Sequence, residues 1–286
     1  MNTFYTRTCL LLALLLVLGS WGEKAHRKIN TGCVNYLPSE LKALRAWAPL
    51  LGEHASDADN RKKEDKNEFV RHFIDIDNYE QFIQQKHINP SFQVQCQLYG
   101  RAFVMKNGTL PWVTDSTYRA LVSQMRRAQW EKAVLTAADL GHYVGDGYMP
   151  LHITANYNGQ LSDQKGIHGR YESEMIDRYI EPITLKRGHV KRVLDIQATV
   201  FDYLYHNYSY MTPLLQADRH ACSLSNHQYN DDYYASLWKD THVFTTRLLS
   251  QASQTLASLI YSAWIDAGKP ELPVQRKEKK KKMVNA

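Results

Sequence analysis

Between Trp130 and Pro150 the chain contains no proline, and Trp130, Val134, Ala137, Ala138 and Leu140 recur at the spacing that lines one face of an α-helix. Two further segments carry the same kind of pattern. One runs from about Asp231 to Ala267 and ends in Gly268, Lys269 and Pro270, the stop expected just past a helix. The other, from about Val193 to Tyr208, places Val193, Ile196, Val200 and Leu204 on one face. Strand-like alternation is scarce, so the pattern predicts an all-α, single compact multi-helix domain. The stretches 106–116 and 155–166 are rich in Gly, Asn, Ser, Asp and Thr and read as loops.

Composition supports a packed core, since 44% of the 286 residues are hydrophobic and 22% charged. Residues 1–20 stand apart from that core. Arg7, the apolar run Cys9–Leu18 and the small pair Gly19 and Ser20 read as a signal peptide, too short for a transmembrane helix of about 20 apolar residues. Cleavage is expected after Ser20, with Leu18 departing from the small-x-small rule, and it predicts an exported chain, periplasmic or secreted. The helical domain then covers residues 21–270, and residues 271–286 form a basic, disordered tail. The formal charge of +6 resides largely in the RKEKKKK run at 276–282, so the body is close to neutral. A run of like charges without interleaved apolar residues reads as a solvated end, not a nucleic-acid or membrane contact. Past the signal peptide only Cys33, Cys96 and Cys222 remain, none at CxxC spacing, which allows at most one disulfide within a chain.

Of the twelve histidines, those near carboxylates at helical spacing bear on chemistry. In DLGHYVGDGYMPLH, His142 and Asp146 stand four apart, so their side chains share a helix face and can converge on one ion. Pro150, preceded by Gly147, breaks the helix and lets His152 point at a neighbouring ion. His168 and Glu172 in IHGRYESEM repeat the four-residue pairing. One such pair is commonly a surface ion pair; two, with His152 between them, favour metal binding. Asp59 in HASDADNRKK and His72 in RHFIDID are candidates that spacing alone does not select. A histidine beside Phe73 and Ile74 also suits the interior, and Asp57, Asp59, Asp75 and Asp77 also suit helix caps or solvated carboxylates. His54, His87, His189, His206, His220, His227 and His242 read as surface or core residues. No Gly-rich phosphate loop, G-x-S-x-G elbow or Cys/His nucleophile arrangement is present.

Taken in order, Trp21 and His26 in WGEKAH, Asp59, His72 in RHFID, then GHYVGDGYMPLH and HGRYE resemble the zinc-dependent phospholipase C and single-strand-specific nuclease superfamily. The piece with His142, Asp146, Pro150, Leu151 and His152 is the most specific, while Asp59 has Asp57 as its natural competitor. The resemblance implies an all-helical fold around three zinc ions. Asp59, His72, His142 and Asp146 would hold one. Asp146 would bridge to a second, held also by His26 and by the amine nitrogen and carbonyl oxygen of Trp21. His152, His168 and Glu172 would hold the third. Trp21 can chelate only as a free amino terminus, because an amide nitrogen is a poor zinc ligand, so signal-peptide removal would activate the protein. An α-amine pKa of about 8 makes the loss of its proton to a metal inexpensive.

The implied reaction is hydrolysis of a phosphodiester by metal-activated water, with Asp59 as the catalytic carboxylate that orients or deprotonates that water. The third zinc would neutralise charge on the phosphate and its leaving oxygen. Two details point to different branches. Glu172, where the nuclease branch would have Asp, resembles phospholipase C, whereas the five residues from Trp21 to His26 resemble the nucleases. The near-neutral body lacks the basic groove that suits a polynucleotide, which favours a phospholipid or other small phosphodiester substrate. The alternatives are a single-strand nuclease or 3'-nucleotidase, acting on single-stranded nucleic acid, and a non-catalytic zinc-binding protein. No protein partner is expected. Tyr143, Tyr148, Tyr157 and Tyr171 flank the proposed ligands; most are expected in the core, the remaining role being contact with a head group or base.

Overall fold

A helix that buries one face is only as stable as the surfaces it meets, and the 36-residue helix from Asp231 to Asp266 provides the largest of these. It appears in a computed structural model that describes residues 22–273, among which every regular element is helical. The leader expected at residues 1–20, Trp21 and the basic run 276–282 lie outside the described residues. In chain order the α-helices are α1 (Glu23–Cys33), α2 (Ala48–Glu53), α3 (Asp57–Arg61), α4 (Glu80–Gln85), α5 (Phe92–Tyr99), α6 (Arg101–Lys106), α7 (Leu110–Arg126), α8 (Trp130–Gly147), α9 (Ile167–Gly169), α10 (Ile176–Tyr179), α11 (Ile196–Tyr208), α12 (Met211–Leu224) and α13 (Asp231–Asp266). A π-helical turn, Arg170–Met175, joins α9 to α10.

The Asn230 side chain starts α13 by accepting from the Tyr233 amide at 3.1 Å, and Asp231 and Asp232 put negative charge on its first turn. The helix ends at the expected Gly268 and Pro270 stop. Its buried stripe, including Leu237, Leu248, Leu249, Ala252, Leu256, Ile260 and Ala263, packs against α1, α7, α8 and α12. Helices α1, α7 and α8 also touch one another or α13 to form a compact multi-helix domain, with α2 and α11 covering its flanks. No helix among the described residues is long and apolar enough to cross a membrane. Among the described residues, Cys33, Cys96 and Cys222 form no disulfide with one another.

Two expectations are corrected. Residues 110–116 are not loop: from Leu110 the chain is helical, with Thr109 at the N-cap position and Pro111 in the first turn, where its missing N–H costs no hydrogen bond. The polar residues that suggested a loop are accommodated within the helix, as Thr114 shows by donating to the Leu110 carbonyl at 2.8 Å while fully buried. The helix expected from Val193 begins instead at Ile196, because Asp195 caps it by accepting from the Ala198 amide at 3.0 Å. Residues 155–166 are loop and turn throughout.

One polar side chain joins the inner helices. Asn30 of α1 is buried and donates to the Leu51 carbonyl of α2 at 3.2 Å and to the Ala138 carbonyl of α8 at 3.0 Å. Gly141 of α8 makes room for it, since a Cβ there would stand 2.1 Å from Asn30 Oδ1 and 2.6 Å from Leu256 Cδ2. Gly to Ala inside a helix ordinarily stabilises by about 1 kcal/mol. Here overpacking of about 1–3 kcal/mol opposes it, so Gly141→Ala should lower the thermal unfolding midpoint. A midpoint equal to or above that of the unsubstituted protein would mean that α1 and α8 separate at no cost.

Candidate metal centre

The i, i+4 register of α8 sends His142 and Asp146 inward on one buried face. Gly145 between them lets α1 approach closely: a Cβ there would lie 2.9 Å from His26 Nδ1. His26 therefore stacks on His142, ring centroids 3.9 Å apart. Asp59 comes from α3, and His72 follows the short turn Phe69–Arg71. His142 Nε2 lies 3.0 Å from His72 Nδ1 and 3.5 Å from Asp59 Oδ1, and His72 Nδ1 lies 3.6 Å from the same Asp59 oxygen. Asp57, the competitor for this position, is taken up by His54 at 2.7 Å.

After α8 ends, the turn Pro150–His152 redirects the chain. His152 Nε2 faces Glu172 Oε2 at 3.6 Å, and His168 Nε2 reaches that same oxygen at 2.5 Å. Glu172 sits on the π-helical turn, fully buried. Asp146 links the two halves. Its Oδ1 lies 3.4 Å from His26 Nε2 and 3.4 Å from His152 Nδ1, and its Oδ2 lies 2.9 Å from His72 Nδ1 and 3.4 Å from His142 Nε2. All eight proposed ligands within the described residues thus converge. The ninth, Trp21, lies outside them, but a Cβ at Gly22 would stand 3.4 Å from the Glu172 carbonyl oxygen and from Ser173 Cα, so α1 begins beside the π-turn.

Whether this arrangement suits metal ions is tested by the orientation of the rings. His142, His152 and His168 point Nδ1 at the carbonyls of Ala55 (2.8 Å), His72 (2.7 Å) and Tyr157 (3.0 Å). An N–H donated there leaves the Nε2 lone pair facing the cluster, the orientation a metal ligand needs. Among the described residues, His152 Nε2, Asp146 Oδ1 and Glu172 Oε1 are buried and make no hydrogen bond, a costly arrangement unless a cation balances them. Three groups have ligand atoms within 4.8 Å of one another: His26, His142 and Asp146; Asp59, His72 and His142; His152, His168 and Glu172. These imidazoles and carboxylates could hold metal ions, and a thiolate-free N/O donor set suits zinc or another divalent cation.

The electrostatics agree. Burial opposes a charge on His142 and His152, yet Asp59 and Asp146 pull His142 well above the ordinary histidine range, and Asp146 and Glu172 raise His152 to about 9. His26 falls below that range through burial and the neighbouring His142. Burial would raise the carboxyls of Asp59 and Asp146, but His142 and their other neighbours hold both far below the ordinary range. The cluster keeps its carboxylates ionised and demands positive charge.

Sequence reasoning missed Glu68, whose carboxylate is buried four residues before His72, with Oε1 3.5 Å from His72 Nε2. Its i, i+4 spacing to a histidine was the available signal. Of the four flanking tyrosines, Tyr143, Tyr148 and Tyr171 are core residues, while Tyr157 is 51% exposed beside His168. No family model matches this chain, and no curated protein matches it either.

Beyond His72, Asp77 clamps the chain that leaves His152 by accepting from Thr154 Oγ1 at 2.6 Å and the Ala155 amide at 2.8 Å. Its neighbour Asp75 has a buried Oδ1 without a hydrogen bond, and burial together with Asp77 raises its carboxyl from 3.8 to about 7. Between those values the folded state keeps a proton that the unfolded chain has lost, so this group's contribution to stability falls as pH rises through the window. Asp75→Asn removes it. The variant's melting temperature should gain on that of the unsubstituted protein between about pH 4 and pH 8; a difference that stays constant with pH would show that Asp75 is not held protonated.

Proposed function

We propose that this chain is an exported, zinc-dependent phosphodiester hydrolase of the phospholipase C-like type, with an amino terminus freed at Trp21 completing its ligand set. The observation that carries the reading is the convergence of five imidazoles and three carboxylates, from five separate parts of the chain, with three of the rings turning Nε2 inward. Paired divalent ions, when bound, lower the pKa of water and offset charge on a phosphate. Such a set with one carboxylate, Asp59, at its rim supports catalysis over a purely structural role.

The protein's own residues divide the work by exposure. Asp146 and Glu172 are fully buried, whereas the Asp59 side chain retains 19% of its exposure, making it the cluster carboxylate that a solvent molecule can reach. Held ionised, Asp59 can orient a water and accept its proton. Lys62 Nζ, 2.7 Å from Asp59 Oδ1, brings a cationic side chain to the same rim, where it balances anionic charge. His26, His72 and His142 fix the cluster from below, and His152, His168 and Glu172 define its other half.

Glu172 supports the phospholipase-like branch. The five-residue interval to His26 supports a single-strand nuclease as the second reading. Zinc-loaded protein should hydrolyse phosphatidylcholine, lose that activity with a chelator, and regain it with zinc. Turnover of single-stranded DNA alone would transfer the assignment to the nuclease branch. Asp59→Asn should slow hydrolysis by about 100-fold or more; a full rate with unchanged zinc content would remove Asp59 from its role.

A further inference from the structure

Glu68 is 1% exposed, and the groups around it are the neighbours of three cluster residues. Arg71, one residue before His72, donates to Glu68 Oε2 at 2.9 Å. Tyr143, one residue after His142, donates its hydroxyl to Glu68 Oε1. Arg61, two residues after Asp59, brings NH2 to 3.5 Å from Oε1 and donates through NH1 to Asp139 of α8 at 3.0 Å. His72 itself turns Nε2 toward Oε1. Its orientation is the reverse of that in His142, His152 and His168, which turn Nδ1 to backbone carbonyls. For His72 the outward group is a side-chain carboxylate at 3.5 Å, an approach without hydrogen-bond geometry, and Nδ1 faces the cluster 2.9 Å from Asp146 Oδ2.

A single buried carboxylate therefore touches His72 and ties together the three segments that bring in Asp59, His72 and His142. Arg61 closes the same link from the Asp59 side, through Glu68 and through Asp139 and Tyr143 of α8. A purely structural carboxylate between two arginines would not need the imidazole edge, and a purely apolar filler would leave Arg61, Arg71 and the Tyr143 hydroxyl without this acceptor.

We propose that Glu68 is a positioning residue for the cation site formed by Asp59, His72 and His142: it holds the His72 proton on Nε2, presents the Nδ1 lone pair inward, and keeps the three ligand-bearing segments in register. This rests on the reading of that group as a cation site, and it requires no particular substrate. Carboxylates in this relation to a ligating histidine support metal affinity by about 10- to 100-fold.

The test uses the full chain, zinc-loaded, dialysed against a graded series of a competing chelator, with retained zinc counted per chain. Glu68→Gln should release one zinc equivalent at about 10- to 100-fold lower chelator than the unsubstituted protein, with the remaining zinc released as before. Glu68→Asp should recover part of that loss. Tyr143→Phe, which removes one donor but keeps the carboxylate against His72, should retain zinc close to the unsubstituted level. Helical circular dichroism of the zinc-stripped variants confirms that each is folded. Unchanged release in folded Glu68→Gln, release of all zinc together, or an equal loss in Tyr143→Phe would each overturn the proposal. If the unsubstituted protein binds no zinc, the cation-site reading itself fails. If it binds zinc but hydrolyses neither lipid nor nucleic acid, only the hydrolase reading fails, and the Glu68 comparison still decides the matter.

Discussion

Ionised carboxylates buried in a helical core make the steepest local demand on this protein. Each costs several kcal/mol to remove from water unless positive charge and hydrogen bonds lie close. Asp146 and Glu172 are fully buried, and Asp59 is mostly so. Their surroundings answer that cost with five imidazoles, three of which turn Nε2 toward the cluster, where a proton or a metal ion can balance the carboxylates. Three of them spend their outward nitrogen on backbone carbonyls, and His72 turns its own toward Glu68 at 3.5 Å. That arrangement is poor economy for stability alone, where well-packed apolar residues would serve as well. It suits a centre that gathers divalent cations.

The helices are fitted to this centre. Residue Gly145 of α8 permits the close approach of α1, so His26 stacks flat on His142, and Asn30 holds α1 to α2 and α8 on the turn beyond. The end of α8 and the turn at Pro150 carry His152 across to the second half of the cluster. There the π-helical turn places Glu172, which the loop at 155–166 faces through the Tyr157 carbonyl on His168. Wider turns of this kind are often found at functional sites. Behind them α13 supplies a continuous apolar surface against which α1, α7 and α8 are held.

Legibility along the chain followed distance in sequence. His142 with Asp146, and His168 with Glu172, were readable because four-residue spacing puts both side chains of a pair on one face, whatever lies around them. The long helix ending at Gly268 was readable from its stop. Residues 110–116 were misread because Pro111 and the neighbouring polar residues look the same in a loop and in the first turns of a helix; burial of Thr114 against the core distinguishes the two, and burial is a tertiary property. Asp57 and Asp59 could not be separated by pattern, since a two-residue shift on a short helix changes which face each occupies only once α3 is docked. His54 then takes one, and the cluster takes the other.

Periodicity and proline placement were sufficient to establish an all-helical chain and to name two candidate ligand pairs, because both depend on backbone geometry within a single segment. Which segments meet was decided by packing. The arrival of His26, the choice of Asp59, the tautomer of His72 and the joining role of Glu68 all depend on contacts between residues far apart in the chain, and local spacing carries no information about those distances.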